Sequence, residues 1–342
     1  MSRLSPVSPT TTVVGAATSP LFGSPRPPFD GHSDPSADLI LRSNDDVGFH
    51  VRRSVLELAS PTIADLLGTG NRQPGERTAP TVSPGASASA SASAHATPGI
   101  ATVKLQEKSS VLDRLLRMCY PVAHRPFVSL DELQPVIHAA HKYRMQGVME
   151  DLEARLLEFA DMYPLRVYAI AIRYEMQDET VRTAARHFLA HPWKPSADLI
   201  PEIELINAGA YVRLLVFRSE CVQTLQEMCT SLEWLPHSTY TFMECEECER
   251  DEDAPRCRLR HGNRTQQPVR WFWHLYVRLA ERLKECPVSD GLSDPALIGD
   301  AVRAASRCEG CSEVAFDQLL SFMSQMKTEV DCRLAKCKLA IL

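Results

Sequence analysis

Alternating apolar and polar side chains mark two short strands near the start of the chain, Ala37-Asp38-Leu39-Ile40-Leu41-Arg42 and Phe49-His50-Val51-Arg52. Between them, Asn44-Asp45-Asp46-Val47-Gly48 offers side chains that fold back onto their own backbone, so a hairpin is expected. The apolar period then lengthens to that of a helix at Val55, Leu56, Leu58 and Ala59, and breaks at Ser60-Pro61. Ser60 suits an N-cap, because its hydroxyl can accept from a free first-turn N–H. Pro61 suits the first helical position, where no N–H is needed. Ile63, Leu66 and Leu67 give that short helix its apolar face.

Residues 68–100, centred on the Ser-Ala repeat from Ala86 to Ala94, then lose all apolar period. Small residues of this kind cannot build a packed core, and the stretch reads as a flexible insertion. Pattern resumes with a strand at Thr102-Val103-Lys104-Leu105 and a helix carrying Val111, Leu112, Leu115, Leu116 and Cys119, with Ser110 and Asp113 spaced as a capping box. Ser129 and Glu132 open another helix, in which Pro135 is expected to shift the start or kink the first turn. Further on, Pro164 opens a helix, Asp178 caps the next, and Leu205–Met228 is a longer helical run. Phe316, Leu319, Leu320, Met323 and Val330 line the last helix.

Three regions follow from this pattern. Residues 1–36 are rich in Ser, Pro and Thr and read as a disordered tail; 37–160 form one domain interrupted by the insertion; 161–342 form a helical domain. With 342 residues, 44% hydrophobic and 23% charged, the chain has ordinary globular composition and room for two domains. A net charge of −6 gives no chain-wide attraction for phosphate backbones, so nucleic acid is not the expected partner. No apolar run suits a bilayer and the N-terminus carries no secretory pattern, so no membrane role is expected. The expected compartment is cytoplasm or nucleus, where eleven cysteines remain thiols or metal thiolates.

Several motifs in a fixed order resemble one known family. Asp38-Leu39-Ile40-Leu41, Phe49-His50-Val51 and Val55-Leu56-Glu57-Leu58-Ala59-Ser60-Pro61 are similar to the opening of a BTB/POZ domain. Leu112 to Tyr120, ending Cys119-Tyr120-Pro121, resembles its central helix, and Ala139-Ala140-His141-Lys142-Tyr143-Arg144-Met145 its closing segment. Arg52 stands where the family usually has His, and Ile63 where an aromatic is common. With Pro164 to Ile170 and the later paired cysteines, the layout is similar to BTB-containing proteins common in fungi. The resemblance implies an α+β fold: a BTB/POZ-like domain of short strands flanked by helices, followed by an all-helical C-terminal region. It implies a non-enzymatic interaction scaffold or adaptor whose partners are other proteins or a second copy of itself. A substrate adaptor of a cullin-type ubiquitin ligase is the alternative, although the hydrophobic-x-Glu element used for cullins falls where this chain has its insertion, and Glu76 lacks an apolar residue two before it. A DNA-associated transcriptional regulator is a second alternative, resting on Arg256, Arg258, Arg260, Arg264 and Arg270; without interleaved aromatics, a solvated loop is the plainer reading.

One constellation carries chemistry. Cys245-Glu246-Glu247-Cys248 and Cys308-Glu309-Gly310-Cys311 are two Cys-x2-Cys pairs, a spacing at which two thiolates reach one ion. Together they are candidate structural zinc ligands, although 59 residues separate the pairs, far more than in compact zinc ribbons. Helices over Trp271–Lys284 and Asp294–Ser306 could fold back to join them. Cys257 and His261 offer a competing local set with Cys245 and Cys248, and unliganded reduced thiols are the bland alternative. Trp271-Phe272-Trp273 is expected mostly in the core, with 271, 275 and 278/279 on one face, and His138 with His141 is expected to pack rather than bind metal. No phosphate-binding glycine loop, nucleophile elbow or His-Glu-x-x-His motif occurs, and no catalytic residue or bound cofactor other than zinc is assigned.

Overall fold

The structure, a computed structural model, describes residues 25–69, 100–193, 200–230, 232–235, 240–250, 257–258 and 265–341. It opens with β1 (Leu39–Arg42), β2 (Gly48–Val51), α1 (Arg53–Ala59), α2 (Pro61–Thr69), β3 (Ala101–Lys104) and α3 (Ser109–Cys119). Five helices follow: α4 (Leu130–Lys142), α5 (Gln146–Leu157), α6 (Pro164–Arg173), α7 (Asp178–Leu189) and α8 (Ala208–Cys229). The remainder comprises α9 (Thr241–Glu244), β4 (Cys257–Arg258), β5 (Thr265–Gln266), α10 (Arg270–Glu285), α11 (Pro295–Ala305), α12 (Glu309–Ser312) and α13 (Ala315–Leu334). The fold is α+β, mostly helix with one three-stranded sheet. Two compact units divide it, one within 1–126 and 135–149, the other within 127–134 and 150–342.

In the first unit, β1 and β2 form the expected antiparallel hairpin, with Leu39 opposite Val51 and Leu41 opposite Phe49, all four buried. The Ser43 hydroxyl closes the turn by accepting from Val47 N at 2.9 Å. Asp46 takes the left-handed conformation (φ 62°) that an Asp side chain tolerates. β3 then lies parallel to β1 on its other side, Leu41 beside Val103, so the sheet order is β2-β1-β3. The tracts before and after the low-complexity stretch therefore pair directly. The insertion itself lies, apart from its edges, outside the described residues.

Local chemistry explains the helix starts. Ser60 caps α2 as its sequence position implies, accepting from Ile63 N at 3.0 Å, and its hydroxyl also donates to Tyr143 O at 2.5 Å. The Ser110/Asp113 capping box does not form. α3 starts two residues earlier than that box requires, with Lys108 at the N-cap, and Asp45 from the hairpin turn takes the N–H of Ser109 at 2.7 Å together with its hydroxyl. A carboxylate at a helix N-terminus outcompetes a local hydroxyl, because it also meets the positive end of the helix dipole. Asp113 pairs instead with Arg117 at 2.9 Å. Pro135 does not shift the start of α4, which begins at Leu130 and runs through it. The expected tail over 1–36 is also shorter than read: Phe29 is fully buried, 5.1 Å edge-on from Tyr120, and Asp34 pairs with Arg52.

The second unit takes in residues 150–160 because they pack forward. Buried Glu153 accepts from Thr180 Oγ1 at 2.8 Å and Gln177 N at 3.3 Å, satisfying the start of α7. Asp178, expected as the cap, is instead the first residue of α7. Arg218 of α8 is buried and donates to Phe188 O, Leu189 O and Glu285 O, tying together the C-terminal ends of α7 and α10. The core gathers Phe242, Phe272, Tyr276, Leu279, Phe322, Met326 and Val330. On α10 the buried face is 272, 275, 276, 279 and 283 rather than 271, 275 and 278/279. On α13, Leu319, Met323 and Val330 are buried as expected, but Phe316 and Leu320 are exposed. The region is not all-helical: β4 and β5 form a two-residue antiparallel ladder, Cys257 opposite Gln266. No helix among the described residues is long and apolar enough to cross a membrane.

Candidate metal centre

The first cysteine pair follows a one-turn helix. α9 carries Phe242 and Met243 into the core, and Cys245 N donates back to Thr241 O at 2.8 Å, which turns the chain into the loop. Arg250 fixes that loop from inside. Its guanidinium donates to Met243 O at 3.0 Å, Cys245 O at 2.7 Å and Gln267 O, while its backbone bridges Val269. The loop in turn caps α10, whose Val269 and Arg270 N–H groups donate to Phe242 O and Glu249 O, each at 2.8 Å.

The second pair sits where α11 ends. Cys308 N donates to Ala305 O at 3.1 Å, and the short α12 places Cys311 one turn later, fully buried. α13 then returns past α9. Gln318 accepts from Thr241 N at 2.9 Å and donates to Thr241 Oγ1 at 3.0 Å, and Tyr240 OH donates to Gln325 at 2.7 Å. Side-chain bonds from α13 thus hold the segment that leads into the first pair.

The result is a four-sulfur cluster. Cys245, Cys248, Cys308 and Cys311 place their sulfurs within 4.8 Å of one another, and Cys245–Cys308 and Cys248–Cys311 are each 3.6 Å apart. Sulfurs about 2.3 Å from one ion, at the corners of a regular tetrahedron, would stand about 3.8 Å apart. The spacing fits a metal ion bound by four thiolates. Among the described residues this is the one group of three or more His, Cys, Asp or Glu side chains close enough to share an ion.

Electrostatics set Cys245 apart from Cys248 and Cys311. Burial pushes Cys245 up, but Cys308 and the N–H groups of Cys248 and Glu247 outweigh it and hold the thiol below its usual range. Burial raises Cys248 to about 11, and it raises Cys311 as well. Cys308 donates to Glu247 Oε2 at 3.3 Å. Trp271 packs against the small apolar cluster of Ala305, Cys311 and Ala315, and its buried indole N–H has no hydrogen-bond partner. Arg250, Gln318 and Trp271 are the supporting residues that the spacing of cysteines does not reveal. Arg250 had one visible signal, a lone cation inside the acidic run from Glu244 to Asp253.

All four first-choice ligands are thus brought together across their long separation. Of the competing set, Cys257 lies in β4 with its side chain outside the described residues, as does all of His261. The arginine run from Arg256 to Arg264 is described only at Arg258, and only in its backbone. His138 and His141 are both exposed on α4 and join no metal-sized group. No protein-family model matches the chain, and no curated protein matches it either.

Proposed function

We propose that this protein is a non-enzymatic interaction scaffold or adaptor, working in the cytoplasm or nucleus, whose second unit is held closed by one structural zinc ion. The four-sulfur cluster carries the metal part of this reading. Thiolate-only donors select soft or borderline ions, and zinc imposes no geometry of its own on a tetrahedral site. Four protein ligands leave no position for water or substrate, so the ion's role is to bolt α9 and its loop to the α11–α12 turn.

The interaction role rests on the BTB/POZ-type reading of the first unit. Its support is the sheet order β2-β1-β3, with hairpin, two short helices, a third strand parallel to the first and then a longer helix. Several motifs quoted for the resemblance fall within regular elements. Leu39–Leu41 lies in β1, Phe49–Val51 lies in β2, Ser60-Pro61 opens α2, and Tyr120 follows α3 as its C-cap with its hydroxyl accepting from Arg52 N at 2.7 Å.

Two measurements test the proposal. Elemental analysis of the full chain, purified without chelator, should find about one zinc per chain; protein that is folded but metal-free would dispose of the metal part. Analytical ultracentrifugation and cross-linking of the full chain should show a dimer or a defined complex with another protein. A chain that stays monomeric and cross-links to nothing above background would dispose of the scaffold. Recovery of a cullin in the same experiment would narrow the role to a ligase adaptor.

A further inference from the structure

The four sulfurs are not equivalent in their neighbours. Each member of one Cys-x2-Cys pair has its close partner in the other pair, Cys245 with Cys308 and Cys248 with Cys311, both at 3.6 Å. Cys245 and Cys308 are both partly exposed, whereas the other contact joins a partly exposed Cys248 to a fully buried Cys311. We infer that the centre is a peroxide-responsive redox switch that exchanges its metal for disulfides between the pairs, Cys245–Cys308 first and Cys248–Cys311 second. This inference rests on the zinc reading above.

The chemistry is that of an exposed thiolate meeting a peroxide. One thiolate sulfur of the Cys245–Cys308 pair attacks the peroxide O–O bond, forming a sulfenic acid and releasing hydroxide. The partner thiolate then attacks that sulfur and displaces a second hydroxide. For each disulfide, two thiolates lose two electrons in total and one peroxide gains them. An ion that has lost two of its four ligands is left with Cys248 and Cys311 alone and passes to solvent. The freed thiols of that pair consume a second peroxide more slowly, because only Cys248 of the two is exposed to it. Closing each contact from 3.6 Å to the disulfide length of about 2.05 Å moves two side chains, and the segment carrying Cys245 is already held by Arg250 and Gln318.

The consequence differs from the usual picture of zinc loss. Disulfides within each pair would cut the tie between α9 and the α11–α12 turn. Disulfides between the pairs keep that tie, so the protein signals oxidation by releasing an ion while its fold stays closed.

The test uses the full chain. Zinc content is measured first; the protein is then titrated with hydrogen peroxide in the presence of a colorimetric zinc chelator, and non-reduced proteolytic peptides are sequenced by mass spectrometry. The expected result is complete zinc release near the first equivalent, with Cys245 joined to Cys308, and the Cys248–Cys311 bond after the second. Peptides that remain unlinked, each with its own internal disulfide, would overturn the inference, as would sulfinic acids or any other pairing. In those outcomes the zinc reading stands. A chain that holds no zinc at the outset defeats that reading, and the inference with it.

Discussion

Two regions of this molecule solve the same problem with different chemistry. In the first unit the chain leaves at Thr69 and comes back at Ala101, and the gap is closed by backbone pairing of β3 with β1 over buried Leu39 and Leu41. In the second unit it leaves the loop at Cys248 and comes back at Cys308, and the gap is closed by four sulfurs. The sheet closure is distributed over many weak contacts and exists in the polypeptide alone. The sulfur closure is concentrated in four side chains.

The largest effect should come from the concentrated closure. Cys311→Ser removes a buried ligand, and structural zinc sites contribute apparent binding energies on the order of 10 kcal/mol at neutral pH. The variant should purify without zinc. Amide exchange should accelerate in residues 240–250 and 308–315 while β1 and β3 keep their protection. Loss of protection in β1 as well would break the comparison. Leu41→Ala is the matching lesion in the sheet: truncating a side chain 1% exposed should cost about 2–5 kcal/mol in denaturant unfolding, with zinc content unchanged. Next comes Ser60→Ala, which deletes the α2 cap and the donor to Tyr143 O and should cost about 1–2 kcal/mol in the same measurement.

The smallest effect is electrostatic. Burial pushes Glu107 up, but the Lys142 ammonium at 2.7 Å and the Tyr143 hydroxyl outweigh it and hold the carboxyl below its ordinary value of 4.5. A carboxyl lowered by folding stabilises the fold above its unfolded pKa, and that contribution disappears as pH falls through the folded value. Glu107→Gln should therefore be less stable than the parent at neutral pH, with the two converging below 4.5. The thiolate centre, by contrast, should release metal at higher pH, because thiols protonate well above carboxylates. A unit-one transition that tracks zinc release during acid titration would overturn the separation.

What could be read from the sequence follows the same divide. Period-two alternation at Leu39, Leu41, Phe49 and Val51 gave the hairpin, because a one-residue slip would turn all four side chains to solvent. Cysteine spacing picked out the two pairs but not their meeting, because 59 residues separate them and Cys257 with His261 offered a second set. What stayed hidden depended on distant partners. Asp45 took the start of α3 from Ser110 across 64 residues, and no local pattern announces that. Phe316 and Leu320 have the apolar chemistry of core residues, yet α13 turns its 319/322/326/330 face inward instead. Period alone does not choose between two overlapping stripes on one helix. The buried roles of Phe29, Glu153 and Arg218 arise only once the tertiary fold exists.

The grip of Arg250 on three carbonyls has a kinetic meaning. Because the guanidinium shapes the Cys245–Cys248 bend from within the chain, half of the nest stands ready before any ion arrives. Capture should then be a simple encounter, its observed rate climbing in proportion to the ion supplied. Were the bend first to condense out of a floppy segment, that rate would level off at the speed of the condensation.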